Sequence, residues 1–260
     1  MSAELKTLPK ATRYTAPSFW TESPIRIVVL GAGGNGSEVV DCLSSLHCAL
    51  RSLGHPYGLA VTIIDDAKVR ESNLVRQRFW PCDMGQYKAI ALANRYNLLL
   101  GLDWVGLPNR FPSDSTVFAF SNADLIISCV DVNSARMAIA KYEGRLRSSA
   151  MWLDMGNGHR HGQVVFGAVR GSPRARFPNV LDHYPEVAEL ADSNVKSCSA
   201  AESIASQDCL VNRTVATAAM NIVWELLRTG STDRNIITVS LETGEQMTYP
   251  FPAQAQNSES

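Results

Sequence analysis

A run of β-forming residues that breaks on glycines and restarts as a helix constrains this chain more than any other stretch. It reads IRIVVLGAGGNGSE, from Ile25 to Glu38. Ile25, Ile27, Val28, Val29 and Leu30 form a nearly unbroken apolar run, the pattern of a strand covered on both faces. Gly31, Gly33, Gly34 and Gly36 follow at once; they let the backbone turn sharply and let another group approach where a Cβ would collide. Val39, Leu43, Leu46, Leu50 and Leu53 then recur at helical spacing. Strand, glycine turn and helix aim backbone N–H groups and the positive end of a helix dipole at one point, which predicts a bound phosphate and hence a nucleotide. The G-x-G-x-x-G spacing does not by itself separate NAD from FAD or ATP, and close strand–helix packing also calls for glycine.

Bulk properties narrow the class. A chain of 260 residues suits one α/β domain with a substantial core. Net charge is −1 and 45% of residues are hydrophobic, which supports neither a disordered chain nor nonspecific nucleic-acid binding. No apolar run is long enough to span a bilayer and the polar N-terminus lacks a signal-peptide core, so the expectation is a soluble, cytoplasmic protein without a membrane partner. The cysteines, Cys42, Cys48, Cys82, Cys129, Cys198 and Cys209, include no Cys-x-x-Cys pair. A structural zinc site and disulfides are therefore not expected.

Along the chain, residues 1–24 read as an extended arm pinned by Phe19 and Trp20. Leu59 to Asp65 (LAVTIID) is a second strand, with Asp65 at the carboxyl end where parallel sheets bind ligands and where an acid accepts ribose hydroxyls. Asn73, Arg76, Gln77 and Arg78 follow, then Lys88 on a helix predicted over 85–98. Arginine offers phosphate a planar fork and lysine a compact charge. Leu125 to Val130 (LIISCV) is a further buried strand ending at Asp131, a residue that would either serve a site or cap the next helix. A helix over 134–147, a strand over 150–154, an interruption at Gly156, Gly158 and Gly162, and a strand over 163–169 follow. Residues 171–200 read as a long irregular loop, 208–228 as a helix and 235–241 as the last strand. The predicted fold is α/β: a Rossmann-like mixed sheet, parallel in its first half and antiparallel in its second, with helices on both faces. Its expected limits are 25–250, with a disordered tail over 251–260.

GAGGNG followed by IIDDAKVRESNLVRQ resembles the ubiquitin-activating-like ThiF/MoeB/HesA adenylyltransferases, whose pattern is a G-x-G-G-x-G turn, a strand-terminal Asp and Ser-Asn-Leu-x-Arg-Gln. Within that family the run CSAAESIASQDCLVN is similar to the ThiF-related proteins of PRTRC systems. The resemblance implies ATP and Mg²⁺ as cofactors, held by Gly31, Gly33, Gly34, Gly36, Asp65, Asn73, Arg76, Gln77 and Lys88, with Asp131 on the metal. Arg76, Lys88 and Asp131 would be catalytic. The implied partner is a small ubiquitin-like or sulfur-carrier protein ending in glycine, whose terminal carboxylate is adenylated, and the implied assembly is a homodimer in which Arg13 enters the neighbouring site. Ala67 and Val132 depart from the acid and asparagine that many relatives carry there. Cys198, in a polar stretch, is the candidate for a later thiol step, ahead of Cys82; His159 and His161 read as surface groups. An NAD-dependent oxidoreductase is disfavoured because Asp65 lies 29 residues after Gly36, against a usual spacing of about 20. A nucleotide-binding adaptor without catalysis is the remaining alternative.

Overall fold

The computed structural model describes residues 12–188 and 207–253. Its centre is an eight-stranded sheet. The apolar run forms β2 (Ile25–Leu30), flanked by β3 (Leu59–Ile64) and β5 (Leu125–Ser128) in parallel register. Beyond β3 lies the edge strand β4 (Val105–Leu107), and beyond β5 lies β6 (Met151–Asn157), both parallel as well. Then β7 (His161–Ala168), β9 (Arg234–Ser240) and β10 (Gln246–Pro250) continue antiparallel. The mixed sheet, parallel first and antiparallel later, is the one read from the sequence.

Alternation along each strand feeds two cores. Ile27, Val29, Val61, Ile63, Leu125 and Ile127 join one cluster, together with α1 (Gly34–Ser52), α2 (Lys88–Leu100) and α7 (Val211–Thr229). Val28, Leu30, Ile64, Ile126 and Trp152 join the other, with Phe120 of α3 (Asp114–Ser121), Ile139 of α4 (Asn133–Tyr142) and Val180. Successive side chains point to opposite faces of a strand, so a continuous apolar run is what a sheet covered on both sides requires. Each fully buried aliphatic side chain contributes about 1.5–3 kcal/mol relative to exposure.

Several expected boundaries move. The arm is not wholly extended: β1 (Tyr14–Thr15) pairs with β8 (Ser231–Thr232), a 3₁₀ turn spans Ser18–Thr21, and Trp20 is buried. Gly156 and Gly162 do not interrupt the chain; they sit inside β6 and β7, whose register runs through Asn157 opposite Gly162. Residues 171–188 are not irregular but hold two short helices, α5 (Ser172–Arg176) and α6 (Val180–His183), and a 3₁₀ turn at Pro185–Ala188. The rest of that predicted loop, and most of the predicted tail, fall outside the described residues. β10 follows what the sequence suggested was the last strand.

The order of strands fixes where a ligand can sit. From β2 the chain moves outward through β3 and β4, then returns to β5 on the other side. Helices on the two sides leave a crevice beyond the carboxyl ends of β2 and β5, the switch point at which open α/β sheets bind ligands. Gly31 and Asp131 follow those two strand ends, and Asp65 follows β3.

Candidate functional site

The glycine turn closes on itself before it can face a ligand. Gly31 adopts φ +88°, and a Cβ there would lie 2.8 Å from the Cys129 carbonyl oxygen; at Gly36 it would lie 1.9 Å from the Gly31 oxygen. At Gly34 it would run into the Asn212 side chain, whereas at Gly33 it would meet nothing within 4 Å. Three of the four glycines are thus demanded by the protein's own packing, more than the sequence suggested, and Gly33 borders the open space. Gly33 is also the N-cap of α1, where no side chain caps the helix. The free N–H groups of a first turn and the helix dipole suit an anion.

Asp65 ties this turn to the next element. One of its oxygens accepts from Ala32 N at 2.6 Å and the other from Ala67 N at 2.8 Å. Each oxygen keeps a lone pair for a further donor such as a ribose hydroxyl. Burial raises the pKa of Asp65, opposed by Lys88 and the two backbone N–H groups. Lys88, at the start of α2, is 8% exposed. Burial lowers its pKa, Asp65 and Asp131 oppose this, and Arg70 and Arg76 add to it. Asp65, Asp131, Arg70 and Arg76 therefore each lie within electrostatic reach of Lys88, and Asp65 joins Lys88 to the turn through Ala32 N. Of the predicted residues, Asp131 and Arg76 each act electrostatically on Lys88.

Other predicted residues behave differently. Asn73 turns its carboxamide oxygen onto Arg70 N at 2.9 Å, capping its own 3₁₀ turn. The Gln77 carboxamide oxygen is buried without a hydrogen-bond partner, an acceptor that a bound donor would satisfy. Arg78 turns to α1: its guanidinium donates to Glu38 and Asp41 at 3.0 and 2.7 Å. Arg76 donates to the Gln207 carboxamide oxygen. Arg13 is engaged within its own chain, beside Glu225 and Asp233 and hydrogen-bonded to Ser231. Asp131 is the one predicted metal ligand, and no group of three or more His, Cys, Asp or Glu side chains able to hold a metal occurs among the described residues.

Among the cysteines, Cys198 lies outside the described residues. Burial pushes the Cys129 thiol well up and the Cys42 thiol up to about 11, so both are inert at neutral pH. Cys82 is exposed on a 3₁₀ turn. Cys209, which the sequence reading passed over, is exposed and donates to the Val75 carbonyl at 3.5 Å, next to Arg76. Also missed was a buried network: Arg136 Nε donates to both oxygens of Asp154 at 3.0 Å, and Ser128 Oγ bridges Asp154 to the indole of Trp152. An aspartate inside the apolar run MWLDM was the available signal. A groove of about 480 Å³ opens at the ends of β6, β7, β9 and β10, lined in part by Asn157, His161, Gln163, Thr238 and Met247.

A glycine turn at the switch point, an acid on the neighbouring strand end and a cluster of cations define a Rossmann-like nucleotide-binding protein. The chain belongs to the ThiF family, whose pattern matches residues 21–258. Comparison with curated sequences returns no match. Among solved structures the fold is similar to PaaA (TM-score 0.59, 14% identity, 88% of this chain and 64% of that one). It is likewise similar to Escherichia coli MccB with ATP (TM-score 0.58, 15% identity, 89% and 65%). A third match is MccB with AMPCPP and MccA (TM-score 0.58, 16% identity, 89% and 65%). This chain spans a little under two thirds of the length of those proteins. No helix among the described residues is long and apolar enough to cross a membrane.

Proposed function

We propose that this chain is an ATP-dependent adenylyltransferase that activates the C-terminal carboxylate of a small ubiquitin-like or sulfur-carrier protein ending in glycine. The observation that carries this reading is Lys88, buried at the start of α2, attracted by Asp65 and Asp131 and repelled by Arg70 and Arg76, with Asp65 bound to Ala32 N inside the glycine turn. Such a site has no use beside a nicotinamide but suits a triphosphate. MccB crystallised with ATP and with AMPCPP and MccA lends support, since the fold is shared.

A terminal carboxyl has a pKa of roughly 3.3–3.7 and is ionised at neutral pH, so no general base is needed. One carboxylate oxygen attacks the α-phosphorus, the bond from that phosphorus to the bridging oxygen breaks, and pyrophosphate leaves with the bonding pair. The protein's work is to bring two anions together and to stabilise the charge growing on the leaving group. Gly33 and the first turn of α1 hold phosphate, Asp65 accepts the ribose hydroxyls, Gln77 orders the site, and Arg76 and Lys88 take the departing charge. Asp131 would hold Mg²⁺, which when bound supplies further neutralisation of phosphate charge. The proposal extends to a homodimer and, through CSAAESIASQDCLVN, to membership of a PRTRC-type cassette. A later thiol step would fall to Cys198.

The test is exchange of labelled pyrophosphate into ATP in the presence of a small glycine-ending protein. Exchange is the expected result; nucleotide binding without exchange would instead identify an adaptor, and NAD binding an oxidoreductase.

A further inference from the structure

Arg78 stands two residues after Arg76, in the cation-rich stretch that the sequence pairs with phosphate, yet its guanidinium hydrogen-bonds to α1. Its Nε donates to Glu38 at 3.0 Å and its Nη2 to Asp41 at 2.7 Å. The backbone is held equally: Arg78 N donates to Ser37 Oγ at 3.0 Å, and the Arg78 carbonyl accepts from Arg95 of α2 at 2.6 Å. The carboxylates are themselves braced, Glu38 by Arg213 of α7 at 3.3 Å and Asp41 by Tyr96 at 2.7 Å. Glu38 is 8% exposed. Burial alone would lower the Arg78 pKa, but Glu38 and Asp41 outweigh it and raise it. With two carboxylates on its guanidinium, Arg78 has little charge left to offer a phosphate.

Between Asn73 and Phe79 the chain is a compact turn. Its start is fixed by the Asn73 cap on Arg70 N, and inside it Gln77 N donates to Asn73 O at 3.0 Å. At its far end Arg78 fastens it to α1 and α2 by bonds from side chain and backbone. We infer that Arg78 is a positioning residue, an arginine clamp onto Glu38 and Asp41 that aims Arg76 and Gln77 at the glycine turn. This rests on the adenylation reading for its consequence, though not for the clamp itself. Because Glu38 and Asp41 lie one and two turns up the helix whose N-terminus receives phosphate, the clamp holds Arg76 and Gln77 in register with that N-terminus. Charged hydrogen bonds at such a part-buried site are the strong kind, and a guanidinium spans two carboxylates where an ammonium meets one.

The discriminating variant is Glu38→Gln, read by calorimetry with Mg·ATP and by hydrogen exchange of residues 73–79 in the nucleotide-free protein. A clamp predicts faster exchange across 73–79 and Mg·ATP binding weakened about tenfold. If Arg78 were a phosphate ligand held back by its carboxylates, Glu38→Gln would release it and binding would tighten; tighter or unchanged binding overturns the inference. Arg78→Ala should weaken binding at least as much, and Arg78→Lys should restore only part of the loss. Should the wild-type protein bind no Mg·ATP, the adenylation reading fails, while the exchange measurement still decides the clamp: unchanged exchange in Glu38→Gln removes it.

Discussion

Asp154 and Asp65, two acids at this sheet with basic neighbours, differ in a way that separates structure from chemistry. Asp154, inside β6, is fully enclosed: Arg136 donates to both of its oxygens at 3.0 Å, Ser128 adds a third bond, and Arg136 also reaches the Met155 carbonyl at 3.2 Å. Asp65, just past β3, is held only by backbone N–H groups, and its cation Lys88 is pulled by two acids and pushed by two arginines. The first arrangement satisfies every partner internally. The second leaves a cation whose burial is opposed but not closed off, and a polyphosphate would complete it. Position on the sheet does not separate the two; the partners do.

The largest effect expected from this contrast is on stability. Removing one member of a buried pair leaves the other charged and unpaired, so Asp154→Ala should cost about 3–5 kcal/mol in urea unfolding. Replacing both, as Arg136→Met with Asp154→Leu, should cost much less, because a fitted apolar pair avoids the desolvation of two ions. A double variant as unstable as the single one would show that the network does more than satisfy its own charges.

At the other pair the loss should appear in chemistry. Lys88→Ala is expected to lower pyrophosphate exchange by about 10²–10³-fold, the scale for removing one preorganised stabilising group, with the urea midpoint unchanged or slightly raised. An unstable Lys88→Ala protein would place Lys88 with Arg136 as a structural cation and undo the comparison.

Titration gives a smaller and two-signed effect. Burial lowers the Lys88 pKa from the ordinary 10.5, so between its folded value and 10.5 the unfolded chain binds more protons than the folded one. Stability contributed at this residue therefore rises with pH through that window, while affinity for Mg·ATP falls as Lys88 loses its charge. Buried Tyr14 and Tyr96 and half-buried Cys42 and Cys129 have raised pKa values and pull stability down at alkaline pH. The Lys88 effect is accordingly read as the difference between wild type and Lys88→Met. A difference of constant size across the window would mean that Lys88 keeps its proton and is better solvated than its setting implies.

What the sequence disclosed and what it hid follow from the range of the interactions involved. The apolar runs at 25–30, 59–64 and 125–128, the glycine turn and the helix after it are local patterns with a single period, and they led to the parallel half of the sheet, with Asp65 and Asp131 just past strand ends. β4 is three residues long and β10 is exposed throughout, so neither carries a hydrophobic alternation to detect. The direction of Arg78 depends on acids about 40 residues earlier in the chain, and Asp154 depends on Arg136 from the helix before its strand. Pairings of that range leave no periodic trace, and a charged residue in isolation looks the same whether it will meet solvent, ligand or a buried partner.

Gln207 is the clearest remaining case, and it bears on the smaller end of the comparison. Its carboxamide oxygen accepts from Arg76, the residue assigned to the departing pyrophosphate. The adjoining residues are stitched to both sides of the crevice, Asp208 N to the His159 carbonyl at 2.9 Å and Cys209 Sγ to the Val75 carbonyl at 3.5 Å. A neutral carboxamide is a weaker partner for a guanidinium than a phosphate oxygen, so nucleotide should displace it at modest cost. Gln207→Ala is therefore expected to tighten Mg·ATP binding by about two- to fivefold in calorimetry, and Gln207→Glu, which turns the contact into an ion pair, to weaken it by a similar factor. If Gln207→Ala weakened binding instead, Gln207 would be holding Arg76 toward the ligand rather than competing for it, and Arg76 would resemble the satisfied Arg136 more closely than the shared Lys88.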